Sequence, residues 1–178
     1  MAQNILITGG SGYLGGTLLN HLKDTSDLPA HGTIYALIRT EDQANKVNEH
    51  YNAVPLELDL STESSITETL LATQISIVFF LIDAFKSDTQ LLFIRALAEV
   101  QGKLGIQTHF LHTSGAKLFS SHAGHPTDRV VSDTDEGLFD IQKTSRATFP
   151  ALQKVSLDTD NLIKPYCSPL SGRPSADR

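Results

Sequence analysis

The 178-residue sequence has a single cysteine, Cys167, and no long apolar run. One cysteine excludes a disulfide framework and fits a reducing compartment. No apolar stretch approaches the ~18 residues that a membrane-spanning helix needs. The opening segment has no basic region, and its apolar stretch breaks at Thr8-Gly9, which is not typical of a signal peptide. We therefore expect a cytoplasmic protein that has no membrane segment.

Basic clusters and metal-ligand patterns are also missing. The formal net charge is −6, and no basic run is present to neutralise nucleic-acid phosphates or bind an anionic membrane surface. Four histidines lie in one stretch of the sequence: His109, His112, His122 and His125. They fall on a predicted strand and an irregular loop, and His109 and His112 are expected to point to opposite faces of the strand. We expect no nucleic-acid partner, no membrane partner and no metal site.

The chain does contain a regular alternation of β-rich and helical patterns. The predicted strands are Ile5–Thr8, Thr33–Ile38, Val54–Leu58, Ile75–Ile82 and Thr108–Thr113. The predicted helices are Tyr13–Lys23, Glu41–His50, a segment that begins at Ser61–Glu63 with Ser61 as its cap, Lys86–Leu104 with Gly105 after it, and Gly137–Ile163, which Pro150 must kink or restart. Five alternations favour an α/β fold, a doubly wound parallel sheet with right-handed connections. Asp83 and Asp88 flank a strand exit, and we expect both to act as caps.

A glycine-rich turn joins the first predicted strand to the first predicted helix. Gly9, Gly12 and Gly15 follow a G-x-x-G-x-x-G spacing. Such a turn lets the backbone approach a pyrophosphate and directs the unpaired N–H groups of a helix N-terminus at the negative charge. A turn that only reverses the chain is the alternative. The preceding strand, the following helix and a second strand ending near Arg39 together favour a dinucleotide site.

Arg39 bears on which dinucleotide is bound. An acidic residue at the end of the second strand would accept hydrogen bonds from the adenosine ribose, whereas an arginine suits a 2′-phosphate. Arg39, followed by Thr40, therefore favours NADP over NAD. A solvated surface arginine is the alternative interpretation.

Three sequence features together resemble the extended short-chain dehydrogenase/reductase superfamily, in particular its NAD-dependent epimerase/dehydratase group. They are Thr8-Gly9-Gly10-Ser11-Gly12-Tyr13-Leu14-Gly15, Asp59-Leu60 and Thr113-Ser114. The resemblance implies a Rossmann-type NAD(P)-binding domain over residues 1–163. Residues 164–178, with three prolines and several serines, are expected to form a disordered tail without a core. It implies cofactor contacts from Gly9, Ser11, Gly12, Tyr13, Leu14, Gly15, Arg39, Asp59 and Leu60. Asp59 would contact the adenine amino group, or else act only as a carboxylate near a helix N-terminus.

The resemblance also locates the catalytic positions. Ser114 corresponds to a serine that hydrogen-bonds the substrate oxygen, and Phe139 and Lys143 correspond to the family's tyrosine and lysine, four residues apart on one helix. Phe139 lacks the hydroxyl and cannot exchange a proton, whereas Lys143 is able to hold the nicotinamide ribose. A turn serine and a solvated lysine are the alternatives. We expect impaired or absent catalysis.

The C-terminal part departs from the family as well. Extended members continue through further strands and a substrate lobe, but here the apolar pattern stops after Asn161–Pro165. We therefore expect a truncated member without those strands and that lobe. Three functions stay open: an NADP-dependent oxidoreductase or epimerase-like enzyme, a non-catalytic dinucleotide-sensing regulator, and an inactive shortened product. Helices 86–104 and 137–160 are expected either to pair in a homodimer or to pack on the sheet.

Overall fold

In the computed structural model, strands and helices alternate along the chain. The residues described are 2–25, 30–83, 86–113, 120–125, 127–128, 130–132 and 134–135. The strands are β1 (Asn4–Ile7), β2 (Ile34–Ile38), β3 (Val54–Glu57), β4 (Ile75–Phe80) and β5 (His109–His112). The helices are α1 (Tyr13–Asp24), α2 (Glu41–Tyr51), α3 (Glu63–Ala72) and α4 (Asp88–Leu104), followed by a 3-10 turn at Ser121–Ala123.

The five strands form one parallel sheet in the order β3-β2-β1-β4-β5. The register places Ile7 of β1 beside Ala36 of β2 on one side and Phe79 of β4 on the other. The chain therefore builds outward from β1 to β3, returns, and continues through β4 on the other side of β1. This confirms the predicted doubly wound, Rossmann-type sheet, and it places the topological switch point between β1 and β4.

Helices cover both faces of the sheet, and each face has its own apolar core. Leu6 of β1 belongs to the core beneath α3 and α4, whereas Ile5 and Ile7 belong to the core beneath α1 and α2. The near-continuous apolar sequence of β4 is explained by the same geometry, since Phe80 packs in the first core and Phe79 against the second. A parallel strand covered on both faces has no polar side to present.

Helix α3 begins one residue later than the sequence predicts. Its N-cap is Thr62, whose Oγ1 accepts a hydrogen bond from the Ser65 amide at 3.4 Å. The Ser61 amide instead donates to Oδ1 of Asp59 at 2.8 Å, so Ser61 lies in the turn before the helix. The assignment of Ser61 as the cap was therefore wrong. Gly105 does end α4 in the left-handed conformation, with φ 63°, as predicted.

Three leucines of α4 pack inside the protein. Leu91 and Leu97 are buried, and Leu91 packs with Ile94 against Phe110. Leu92 is partly buried and packs against the core beneath α3 and α4. These side chains therefore stabilise the fold itself, and pairing of α4 in a homodimer stays a prediction. Residues 137–160 lie outside the described residues. None of the helices within the described ranges combines the length and the apolar character that crossing a membrane requires.

Candidate functional site

A cleft of about 340 Å³ opens at the carboxyl ends of the strands, where β1 and β4 lead into diverging connections. Its walls come from the segments that follow β1, β2, β3 and β4, together with the first turns of α2 and α4. The lining residues are Gly9, Ser11, Leu37, Ile38, Arg39, Gln43, Leu58, Leu60, Phe80, Ile82, Asp83 and Thr89. In open α/β sheets this edge, at the switch point, is where ligands bind.

The glycine turn is folded tightly against the start of α1. A Cβ atom at Gly15 would overlap the carbonyl oxygen of Gly9, so no other residue fits there without a backbone shift. Gly9 itself has φ +69°, a left-handed conformation that L side chains rarely adopt. The Gly12 amide closes the turn by donating to the Gly9 carbonyl oxygen at 2.9 Å. The first and third glycines of the predicted motif are thus required by the local geometry.

The N-terminus of α1 differs from those of α2 and α3. Its N-cap is Gly12, with no side-chain hydrogen bond to the first turn and no acidic residue in that turn. Helices α2 and α3 are instead capped by Thr40 and Thr62, and each has an acidic first turn. The first amides of a helix have no intrahelical partner and carry the positive end of the dipole. The arrangement at α1 therefore suits an external anion.

Thr8 joins the glycine turn to the exit of β4. Its side chain is fully buried, its hydroxyl donates to the Phe79 carbonyl oxygen at 3.3 Å, and the same hydroxyl accepts from the Leu81 amide at 2.8 Å. Gly9 follows directly and packs against Ile82, whose Cγ2 would lie 3.0 Å from a Cβ at that position. Thr8 therefore connects the end of β1 to the end of β4, at the edge where the cleft opens. The sequence placed Thr8 in the motif without indicating these contacts.

Arg39 and Gln43 form the wall at the end of β2. The Arg39 amide donates to Oε1 of Gln43 at 2.8 Å, and the Gln43 amide donates to Oγ1 of Thr40 at 3.3 Å. Both residues line the cleft. Within the described part of the chain, the Arg39 guanidinium has no ion pair, which leaves a positive charge at this wall.

The remaining predicted cofactor positions divide between the cleft and its border. Leu60 lines the cleft, whereas Asp59 is exposed and does not belong to the lining. The hydroxyl and the amide of Ser61 hydrogen-bond the Asp59 carboxylate and hold its pKa below the usual value. Tyr13 and Leu14, at the open end of α1, are also exposed.

The predicted catalytic residues Ser114, Phe139 and Lys143 lie outside the described residues. His112 lies at the end of β5, two residues before Ser114, and its ring packs against Phe80 with centroids 6.2 Å apart. Neither ring nitrogen of His112 has a hydrogen-bond partner among the residues that the structure describes. Burial lowers the pKa of His112, and the Asp83 carboxylate opposes this only in part.

In the ranges that the structure describes, no three His, Cys, Asp or Glu side chains lie close enough together to hold a metal ion. His109 is exposed and His112 half-buried, at positions of β5 that alternate in burial. The two rings therefore do not share a site on the strand.

Asp83 and Gln43 are among the lining residues that were not predicted as part of the site. Asp83 was expected to cap a turn, and its Oδ1 does accept from the Lys86 amide at 3.1 Å, yet it also lines the cleft. The sequence signal that could have identified Asp83 as a site residue is its position after β4, at the carboxyl edge of the sheet. Gln43 lies in a polar, exposed helix, and nothing in its spacing distinguishes it from its neighbours.

The NAD dependent epimerase/dehydratase family matches the sequence over residues 5–145, which include the glycine turn and all five strands. No curated protein matches the sequence.

Several solved structures share the fold at low sequence identity. The PbgP3 protein from Burkholderia pseudomallei is 13% identical over 93% of this chain and 49% of its own, with a TM-score of 0.56. A wide-type short-chain dehydrogenase/reductase from Veillonella parvula DSM 2008, in complex with NADP, is 16% identical over 69% of this chain and 51% of its own, with a TM-score of 0.50. Triphenylmethane reductase from Citrobacter sp., complexed with NADP(H), is 16% identical over 91% of this chain and 45% of its own, with a TM-score of 0.50. The chain thus spans about half the length of these structures.

Proposed function

Because the chain belongs to the NAD-dependent epimerase/dehydratase family, we propose that its cleft binds a nicotinamide dinucleotide, with NADP preferred over NAD. In this proposal the first amides of α1, from Tyr13 to Gly15, hold the pyrophosphate. Leu58 and Leu60 pack against the adenine, and Asp59 lies at its edge.

The observation that carries the proposal is the uncapped, non-acidic N-terminus of α1 behind a turn that only glycine allows. A turn that served only to reverse the chain would tolerate a capping side chain, as at Thr40 and Thr62. A glycine N-cap instead keeps space for phosphate oxygens to reach the amides.

The preference for NADP rests on the charge at the end of β2. Arg39 lines the cleft where an NAD-specific site would present a carboxylate to the ribose hydroxyls. A guanidinium recognises a phosphate through charge-assisted hydrogen bonds. Two of the structures of similar fold were solved with NADP or NADP(H) bound, which supports testing this cofactor first.

We further propose that the protein binds its cofactor with impaired catalysis, as an oxidoreductase or epimerase relative that has lost its proton donor. Bound NADPH supplies a hydride, but an acid or base must also move a proton on the substrate. The family position for that group is Phe139, which has no ionisable atom. Ser114 and Lys143 are left to orient the substrate and the ribose. A non-catalytic dinucleotide-sensing regulator is the second candidate, and the same phenylalanine favours it.

A fluorescence titration of the purified chain with NADPH and with NADH tests the proposal. We expect tighter binding of NADPH, and Arg39→Asp should weaken NADPH binding about 10- to 100-fold, the usual size of a hydrogen bond to a charged group. Arg95→Asp, which makes the same charge change on α4 outside the cleft lining, is the control. A purified chain that binds neither NADPH nor NADH would contradict the proposal.

A further inference from the structure

Gln43 is held in place at the wall of the cleft by two hydrogen bonds. Its side-chain Oε1 accepts from the Arg39 amide at 2.8 Å, while its backbone amide donates to the Thr40 hydroxyl at 3.3 Å. The residue is half-buried and lies in the first turn of α2. Its carboxamide is therefore fixed across the junction between β2 and α2 before any ligand arrives.

The first of these hydrogen bonds also determines which way the carboxamide is turned. A backbone N–H is a donor only, so the atom that faces the Arg39 amide must be the oxygen. The NH₂ group, which has two hydrogens to donate, then faces away from the Arg39 amide. This group makes no hydrogen bond to another described residue, and Gln43 lines the cleft together with Arg39.

The wall at the end of β2 consequently offers mainly donors from these two residues. A guanidinium has no acceptor, and the Gln43 oxygen already accepts the hydrogen bond from the Arg39 amide. Ribose hydroxyls bind well to a carboxylate, which accepts their protons, whereas a phosphate presents acceptor oxygens only. The neighbouring carboxylate of Asp42 is paired with Lys46 at 2.7 Å, which limits its repulsion of an anion.

We propose that Gln43 is a specificity-determining residue of the cleft, and that its fixed Nε2 group donates a hydrogen bond to the 2′-phosphate of NADP beside Arg39. The inference rests on the proposed dinucleotide binding and adds a neutral second contact to the arginine. It makes the selection of NADP depend on the direction of hydrogen bonding as well as on charge.

The Gln43→Glu variant separates the two ends of the side chain. It has nearly the same shape and keeps an oxygen for the Arg39 amide, but it replaces the donor with a second, charged acceptor. We expect the Kd for NADPH to rise about 10- to 100-fold, whereas the Kd for NADH should change little or fall. Asn45→Asp makes the same change of charge on the exposed surface of α2 and should leave both constants unchanged.

A neutral variant excludes an effect of charge alone. Gln43→Leu removes the donor, together with the oxygen that accepts from the Arg39 amide, and adds no anion. NADPH binding should weaken about fivefold, the size of a single neutral hydrogen bond, with NADH binding unchanged. Thermal unfolding followed by circular dichroism checks that each variant is folded.

The failures of the two proposals are distinguishable. A wild-type chain that binds neither nucleotide would overturn the dinucleotide proposal and this inference with it. If the wild-type chain prefers NADPH and the folded Gln43→Glu variant keeps the same preference for NADPH over NADH, only the assignment of Gln43 is overturned.

Discussion

Gly15 illustrates how a single residue can restrict the sequence of the whole turn. A Cβ at residue 15 would overlap the Gly9 carbonyl, whose oxygen also accepts the hydrogen bond from the Gly12 amide that closes the turn. Neither side can move without opening the turn. This is why the glycine spacing was informative in the sequence.

Replacing Gly15 with alanine should therefore lower the free energy of unfolding by about 1–3 kcal/mol, the usual cost of overpacking, and should abolish dinucleotide binding. Chemical denaturation and nucleotide titration measure the two effects. Gly102→Ala is the matched control, because its Cβ would meet nothing within 4 Å. That helix substitution should stabilise the chain by about 0.5–1 kcal/mol. Equal stability of the two variants would contradict the steric interpretation.

His112 predicts a pH dependence of stability. Its pKa is lowered in the folded chain, so the folded state binds fewer protons than the unfolded state near pH 6. Stability should then fall as the pH drops through the ordinary histidine value of 6.5. Urea unfolding between pH 7.5 and pH 5.5 should show this loss, and His112→Phe should reduce it. His109→Asn, at an exposed position of the same strand, should keep the wild-type slope.

Single residues of the site were predictable only where the backbone itself required a residue type. The glycines of the turn carry such a requirement, and Arg39 carries a charge at a strand end. Gln43 acts through a hydrogen bond to a backbone amide that no spacing rule anticipates. Asp83 combines a turn contact with a place in the cleft, and the sequence indicated only the first.

At the scale of elements, boundaries depend on side-chain contacts that periodicity does not report. The apolar run of β4 continues to Ile82, but the strand ends at Phe80 because the Leu81 amide bonds to Thr8 and not to a neighbouring strand. Helix α4 similarly starts at Asp88 and not at Lys86, whose amide is taken by the Asp83 carboxylate. The existence and order of the elements were predictable from the alternation of patterns, whereas these ends were not.

The cap of α3 provides a test at this scale. Thr62→Ala removes the acceptor of the Ser65 amide and should lower the free energy of unfolding by about 1 kcal/mol. Ser61→Ala leaves that hydrogen bond intact, and it keeps the hydrogen bond from the backbone amide of position 61 to Asp59. The free energy of unfolding should therefore fall by less than in Thr62→Ala. Denaturation of the two variants under the same conditions compares them. A larger loss for Ser61→Ala would contradict the assignment of the cap.

For the whole molecule, the order β3-β2-β1-β4-β5 explains why residues far apart in sequence share one cleft. Gly9, Arg39, Leu60 and Asp83 follow four different strands, and all parallel strands end at the same edge. The sequence predicted that the strands are parallel, and hence that the site lies at their common carboxyl edge. It did not predict which strands are neighbours, because strand order depends on packing between distant segments.

The proposed loss of catalysis is also a property of the whole molecule, since it depends on a family position remote in sequence from the glycine turn. We expect no measurable oxidation of NADPH by the wild-type chain with carbonyl substrates. Phe139→Tyr restores a proton donor and should raise turnover, by up to the ~10²–10⁴-fold typical of acid–base catalysis. Phe139→Leu is the control and should stay inactive. Substantial wild-type turnover would contradict the proposal.

The most direct test of the account is an NMR titration of the ¹⁵N-labelled chain with NADPH. The central claim is that the amides at the start of α1 bind the pyrophosphate of a dinucleotide. We predict that saturating NADPH shifts the amide resonances of Ser11, Gly12, Tyr13 and Leu14 most strongly, with smaller shifts at Arg39 and Leu60. If those resonances stay unchanged at saturation, or if the shifts concentrate away from the carboxyl edge of the sheet, the claim is wrong.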